Sequence, residues 1–149
     1  YNNGTFRFSV FINQIKQKLE SRGLTNDVDF LDDFDSNAKY SFLRTLSVLS
    51  VPEKLPVAYG LYVLEALAAG VPVVEPESGV FPELLKMTGG GLLFESNNTE
   101  ALIQALETLL LKPDYAQKLG KQGRKAVFEK FDINQTARDL MRIYEGITE

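Results

Sequence analysis

The apolar residues along the chain follow two alternating spacings, one typical of helices and the other typical of strands. Ile12, Ile15 and Leu19 lie on one helical face. Gly23 follows that face and is suited to end a helix, because glycine readily takes a left-handed backbone conformation. The next segment, DVDFL (27–31), alternates polar and apolar residues and predicts a short strand.

The same order of helix and strand then repeats. Ser36 can cap a helix that carries Tyr40, Leu43 and Leu46 on its apolar face. The β-branched run SVLSV (47–51) predicts the following strand, which Pro52 would end. Further along, helices are predicted over 61–69, 82–85, 99–111 and 113–130, and strands over 71–75 and 91–95.

A last helix is predicted to open at Asp132. Gln135 stands three residues later, at the position where a capping-box partner bonds back to the start of the helix. The 3.6-residue spacing predicts that this helix buries the following apolar residues: Ala137, Leu140, Met141 and Tyr144.

Strands separated by helices predict an α/β fold with a Rossmann-like parallel sheet and helices on both faces. Ligands of such sheets bind beyond the carboxyl ends of the strands. The loops after Leu31, Val51, Val74 and Phe94 are therefore expected to share one edge of the sheet.

Composition narrows the class of protein. The 149 residues, 44% hydrophobic and 24% charged, are enough for one soluble domain with a core, and the absence of an initial methionine suggests a fragment. The net charge of −4, with interspersed signs, argues against nucleic acid as a partner. No apolar run has the roughly 20 residues of a transmembrane segment, so a cytoplasmic location is expected. The chain contains no cysteine and no histidine, which excludes thiolate nucleophiles, Cys/His zinc sites and a histidine base.

The segment 56–79 carries the most suggestive chemistry. Gly60 stands just before a predicted helix, where a phosphate could approach free backbone N–H groups. Glu65 follows more than one turn later, and its carboxylate could accept hydrogen bonds from two vicinal sugar hydroxyls. Periodicity alone favours a plainer interpretation, in which Gly60 is a loop residue and Glu65 a solvated charge.

The order of residues gives this segment a further meaning. PEKLPVAYGLYVLEALAAGVPVVEPESGVFPELL, followed by GGGLLFESNNTEALIQALETLL, resembles the C-terminal domain of GT-B glycosyltransferases, in particular the retaining, nucleotide-sugar-dependent enzymes called family four. The resemblance extends from about Phe11 to Tyr144. It implies the C-terminal half of a GT-B fold and a nucleotide-sugar donor.

The resemblance also implies roles for individual residues. Glu65 matches the second glutamate of the family's Glu-(seven residues)-Glu motif, which binds the ribose hydroxyls of the donor. Gly60 and Leu61, with the neighbouring Tyr59, match the loop that faces the donor diphosphate and sugar. Gly79 matches the Gly-Gly-x-x-Glu turn, where it has either a binding role or only a structural one. The family needs neither a metal ion nor another cofactor.

The chain departs from the family at one important position. The first motif glutamate should stand eight residues before Glu65, and Val57 stands there. Valine can neither accept a hydroxyl hydrogen bond nor stabilise positive charge, so we assign no catalytic residue. Glu53 is the nearest upstream acid, but it is four residues out of register.

Three functions follow as hypotheses. The first is the donor-binding half of a glycosyltransferase that uses a glycan or a lipid-linked acceptor, lacking its first strand and its N-terminal acceptor domain. Any contact with a membrane would then be peripheral, through that missing domain, and the fragment alone is expected to be inactive. The second is a degenerate, non-catalytic homologue. The third, ranked last, is a GT-B-like epimerase or phosphorylase.

Overall fold

The computed structural model describes residues 3–31 and 36–147 of the chain. These residues belong to two compact units, Tyr1–Phe34 and Asp35–Glu149. We describe each unit by itself. That all 149 residues form one donor-binding domain stays a prediction.

The first unit consists mainly of one helix, α1 (Asn3–Glu20), which a turn continues to Gly23 as predicted. The strand predicted over 27–31 is wrong. Val28 has an extended backbone, but no strand pairs with it in the described part of the chain, and Phe30 and Leu31 are exposed. Alternation of polar and apolar residues was not sufficient here, because a strand also needs a neighbour that accepts and donates backbone hydrogen bonds.

The second unit is built on a small parallel sheet. β1 (Val73–Pro76) pairs with β2 (Gly91–Phe94), with Val73 opposite Gly91 and Pro76 opposite Phe94. On the other side of β1, Leu49 forms a single parallel bridge to Val73. The strands predicted over 71–75 and 91–95 are confirmed, whereas the one predicted over 47–51 is reduced to that bridge.

Six helices belong to the second unit within the residues that the structure describes: α2 (Ser36–Leu43), α3 (Leu61–Ala68), α4 (Phe81–Thr88), α5 (Thr99–Leu110), α6 (Pro113–Lys130) and α7 (Ile133–Ile147). The predicted helices are confirmed, with two changes of length. α2 ends before Leu46, and α4 continues beyond Leu85.

Local signals account for several helix starts. The Asn98 side chain accepts a hydrogen bond of 3.0 Å from the backbone N–H of Ala101 and so caps α5. Asp132 Oδ1 accepts a hydrogen bond of 3.2 Å from the N–H of Asn134 at the start of α7. The predicted capping roles of the Ser36 and Gln135 side chains stay predictions.

The sheet is covered on both faces, because successive residues of β1 point to opposite sides. Val73 belongs to a core formed with α2, α3 and α4, which includes Val63, Leu67 and Phe81. Val74 belongs to a second core, with Leu109 of α5 and helix α6. All four residues of β1 are buried. The predicted α/β fold with helices on both faces is confirmed.

The burial predicted for α7 is wrong. Leu140, Met141 and Tyr144 are 48%, 57% and 58% exposed, and Ala137 is also exposed. The spacing correctly predicts an amphipathic helix, but the spacing cannot say what covers its apolar face. None of the described helices has the length and apolar character needed to cross a membrane.

Candidate functional site

Three extended segments end at the same edge of the sheet. β1 and β2 are parallel, and the N–H of Glu77 donates to the carbonyl of Phe94 at 2.8 Å just beyond them. Val51 follows the Leu49 bridge and donates its N–H to the Glu75 side chain at 3.3 Å. The shared edge predicted for the loops after Val51, Val74 and Phe94 is therefore confirmed. Leu31 ends no strand and lies in the other unit.

Gly60 begins helix α3 at this edge, in a left-handed conformation with φ of +57°. It is buried against α4. A Cβ at this position would lie 3.0 Å from Phe81 Cε1 and 3.3 Å from Val80 Cγ1. Both the backbone conformation and the lack of space favour glycine.

Gly79 brings a second loop against the first. It has φ of +56°, and a Cβ there would lie 2.5 Å from both the backbone N and O of Val57. The N–H of Val80 donates to the carbonyl of Val57 at 2.9 Å. The loop before α3 is thus fixed to the turn before α4, and the side chain of Val57 packs against the first core.

The start of α3 is open. Its N-cap residue has no side chain, so no side-chain oxygen caps the helix. Val63 donates its N–H to the Gly60 carbonyl at 2.9 Å, and Tyr59 and Leu61 are 78% and 66% exposed. An uncapped helix start carries partial positive charge and N–H groups directed at solvent, which suits an anionic group.

Glu65 lies further along α3 and is held by a lysine. Lys39 Nζ of α2 lies 2.5 Å from Glu65 Oε1, and about a third of the Glu65 side chain is exposed. The pair leaves the second carboxylate oxygen able to accept a hydrogen bond. Sequence reasoning missed Lys39, since no local pattern relates two residues 26 positions apart.

Sequence reasoning also missed Glu75, which is fully buried at the end of β1. Its Oε1 accepts the hydrogen bond from Val51, and its Oε2 has no hydrogen-bond partner among the described residues. Burial raises the pKa of this carboxyl to about 8, and the charge of Glu53 adds to the increase. A glutamate that closes the apolar run VPVV was the available signal.

Tyr62, on α3, shares the environment of Glu75. Its hydroxyl is buried without a hydrogen-bond partner among the described residues. Burial raises the pKa of Tyr62, and the charges of Glu75 and Glu53 raise it further. Two buried polar groups at the edge of the sheet are therefore both kept in their neutral forms at pH 7.

A cavity of about 410 Å³ opens at the same edge. Pro52, Glu53 and Lys54 form one side, and Phe94 with the residues that begin α5 forms the other.

Of the predicted site residues, Gly60, Leu61, Tyr59 and Gly79 cluster around the start of α3, with Glu65 one turn further along. Glu53 lies in the wall of this cavity and is not in the position that Val57 occupies.

Known proteins share this chain's sequence pattern and fold. The family Glycosyl transferases group 1 matches residues 12–126. A phosphatidyl-myo-inositol mannosyltransferase of Mycobacterium leprae is 29% identical over 130 residues, which cover 87% of this chain and 34% of the relative. The chain thus spans about a third of the length of that relative.

Solved structures agree with the sequence match. The C-terminal domain of a group 1 glycosyl transferase, LpcC of Francisella tularensis, has a TM-score of 0.76 and 26% identity, over 85% of this chain and 65% of that one. Anabaena HepE, solved in complex with UDP, has a TM-score of 0.82 over 95% of this chain and 38% of that one. At 18% identity the latter shows the fold alone. The chain belongs to the group 1 glycosyl transferases and has the α/β fold of GT-B enzymes.

Proposed function

We propose that this chain is the donor-binding part of a glycosyltransferase, which moves a sugar from a nucleotide diphosphate sugar to a glycan or lipid-linked acceptor. The acceptor would bind to a second domain, because the chain spans only about a third of its mannosyltransferase relative. We place the reaction in the cytoplasm.

The open start of α3 is the observation that carries the proposal. Gly60 leaves the first N–H groups of the helix uncapped. In the proposed complex they donate to the donor diphosphate, and the helix dipole stabilises the negative charge that grows on the leaving nucleotide. These backbone groups would stabilise the negative charge on the diphosphate, as a metal ion does in other transferases, so the proposal includes no metal.

Glu65 would hold the other end of the donor. Its carboxylate accepts hydrogen bonds from the ribose hydroxyls, and Lys39 fixes one oxygen in place at 2.5 Å. Tyr59 and Leu61, both exposed beside Gly60, would contact the donor sugar. Gly79 acts indirectly, since it holds the loop of Val57 against α4.

Calorimetric titration of the chain with UDP, GDP and ADP tests this proposal. We expect one nucleotide to bind selectively, and Glu65→Ala to weaken its binding about tenfold or more, because the ribose would lose a charge-assisted hydrogen bond. Glu107→Ala, which removes an exposed glutamate of α5, is the matched control. Equal affinities of the wild type and Glu65→Ala would contradict the ribose-binding role.

Val57 favours a second candidate, a homologue that binds nucleotide but does not transfer sugar. An apolar side chain packed against the core cannot contact the transferred sugar as a carboxylate does. Under this alternative, nucleotide binding persists and turnover is absent. Release of UDP or GDP from the corresponding sugar nucleotides distinguishes the two, measured on the protein with its acceptor domain and on its Val57→Glu variant. Turnover by the wild type would exclude the non-catalytic homologue, and turnover only by Val57→Glu would support it.

A further inference from the structure

A second cavity, of about 400 Å³, opens between α2, α3 and α6. Arg44 and Arg124 line it together with Tyr40 and Phe128, and we call it the arginine cavity. The small side chains of Ala68 and Ala69 also line it and leave the space open. These alanines follow Glu65 by about one helical turn, so the arginine cavity lies further from the start of α3 than Glu65 does.

Both arginine side chains lack a partner of opposite charge. Among the described residues, neither guanidinium makes an ion pair or a hydrogen bond, although the chain has 20 acidic residues and 16 basic ones. No carboxylate of the described part of the chain lines the cavity. Arg124 instead lies over the ring of Phe128, with 5.6 Å between Cζ and the ring centroid. This stacking limits the motion of the guanidinium and leaves its N–H groups free to donate.

The surrounding charge also favours an anion. Helix α6, which carries Arg124 and forms one wall of the cavity, contains five lysines and arginines but two aspartates and glutamates, in a chain whose net charge is −4. Arginines near the ends of α2 and α3 could instead serve to balance the helix dipoles. No carbonyl of these helix ends accepts a hydrogen bond from the side chain of Arg44 or Arg124 in the described part of the chain, so the guanidinium groups remain available.

We propose that the arginine cavity binds a phosphate group, separately from the nucleotide site. Two planar guanidinium groups match the geometry of phosphate oxygens, and two further lining residues, Ser41 and Tyr40, carry hydroxyl groups that can donate. The phosphate belongs either to a small phosphorylated metabolite or to a lipid headgroup, since both present the same oxygens.

Binding of two probes to the 149-residue chain tests the proposal. Inorganic pyrophosphate is titrated by calorimetry, and vesicles that contain phosphatidylglycerol are tested by co-sedimentation. We expect at least one probe to bind. The double variant Arg44→Ala/Arg124→Ala should weaken that binding about tenfold or more, because each arginine supplies charge-assisted hydrogen bonds. The probe that binds identifies the source of the phosphate.

Three controls distinguish binding in the arginine cavity from general attraction to basic residues and from binding at the nucleotide site. Lys118→Ala/Lys121→Ala removes the same charge from α6 outside the cavity and should change affinity less than about twofold. Ala68→Leu keeps both arginines but fills the cavity, and should also abolish binding while thermal unfolding shows that the chain is folded. The arginine double variant should bind the nucleotide identified by calorimetry as tightly as the wild type does. The proposal is overturned if neither probe binds, if the lysine variant loses as much affinity as the arginine variant, or if the arginine variant loses nucleotide affinity to the same extent.

Discussion

At the scale of single residues, the candidate site depends on carboxyl groups in contrasting environments. Glu65 is about one-third exposed and forms an ion pair with Lys39. Glu75 is fully buried, with one oxygen that has no partner among the described residues. The first suits contact with a polar ligand. The second acts within the protein, where it holds the backbone of Val51 at the edge of the sheet.

The buried Glu75 should make stability depend on pH. Its pKa rises from 4.5 in the unfolded chain to about 8 in the native one, so the native state keeps a proton that the unfolded state loses. Well below pH 4.5 both the native and the unfolded state are protonated at this carboxyl, so the group does not make stability depend on pH there. As pH increases from about 4.5 to 8, this group should lower the free energy of unfolding by roughly 2–4 kcal/mol.

Glu75→Gln should remove most of that dependence, because the amide stays neutral at every pH. The measurement is urea denaturation at intervals between pH 5 and 8.5, with the exposed Glu107→Gln as the control for general effects of charge. Glu75→Gln should be more stable than the wild type at pH 8. An identical pH slope in the wild type and Glu75→Gln would show that Glu75 is not held neutral.

Lys39 offers a second test at this scale. Lys39→Met keeps a long apolar stem but leaves Glu65 without its ionic partner. The carboxylate would then be oriented less well, and we expect nucleotide affinity to fall by about two- to fivefold, less than for Glu65→Ala. Calorimetry on both variants measures the order of the two losses. A greater loss in Lys39→Met would mean that the lysine itself contacts the ligand.

At the scale of elements, the sequence predicts the most where local chemistry decides. Pro113 and Asp132 mark helix starts, and the runs around Val73 and Leu92 are strands that hydrophobic helix faces cover on both sides. Residues 27–31 and the apolar face of α7 were predicted wrongly, since pairing and burial depend on neighbours that no local pattern specifies. The contact of Lys39 with Glu65 was missed for the same reason.

The contact between the Val57 loop and the turn of Gly79 should be sensitive to one methyl group. Gly79→Ala would place a Cβ 2.5 Å from the Val57 backbone, at a φ that disfavours alanine. We expect a loss of about 2–4 kcal/mol in the free energy of unfolding. Gly146→Ala, in α7 with nothing within 4 Å, is the matched control and should be neutral or stabilising by up to about 1 kcal/mol. Equal stabilities of the two variants would contradict the close contact.

Two leucine-to-alanine changes test the corrected packing of the helices. Leu109 of α5 is 1% exposed, and its replacement should cost about 2–5 kcal/mol through the cavity it leaves. Leu140 of α7 is 48% exposed, and its replacement by alanine should lower the free energy of unfolding by less than about 1 kcal/mol. Denaturant unfolding measures both. A large cost at Leu140 would show that the face of α7 is covered in solution.

At the scale of the whole molecule, the chain supplies one side of a proposed active site. It has the fold of GT-B enzymes, and the family match covers residues 12–126. Because Val57 stands where the family has a glutamate, the turnover experiment on the protein with its acceptor domain decides whether sugar is transferred. Binding of the donor diphosphate at the open start of α3 is the central claim.

Nuclear magnetic resonance of the ¹⁵N-labelled chain tests that claim most directly. On addition of the nucleotide that binds in calorimetry, the amide signals of Gly60, Leu61 and Tyr62 should move the most, because their N–H groups would donate to the diphosphate. The corresponding nucleoside, which lacks phosphates, should leave them in place. Unchanged signals at Gly60–Tyr62, with the largest changes instead at Asn97–Thr99 beside the cavity of about 410 Å³, would contradict the central claim.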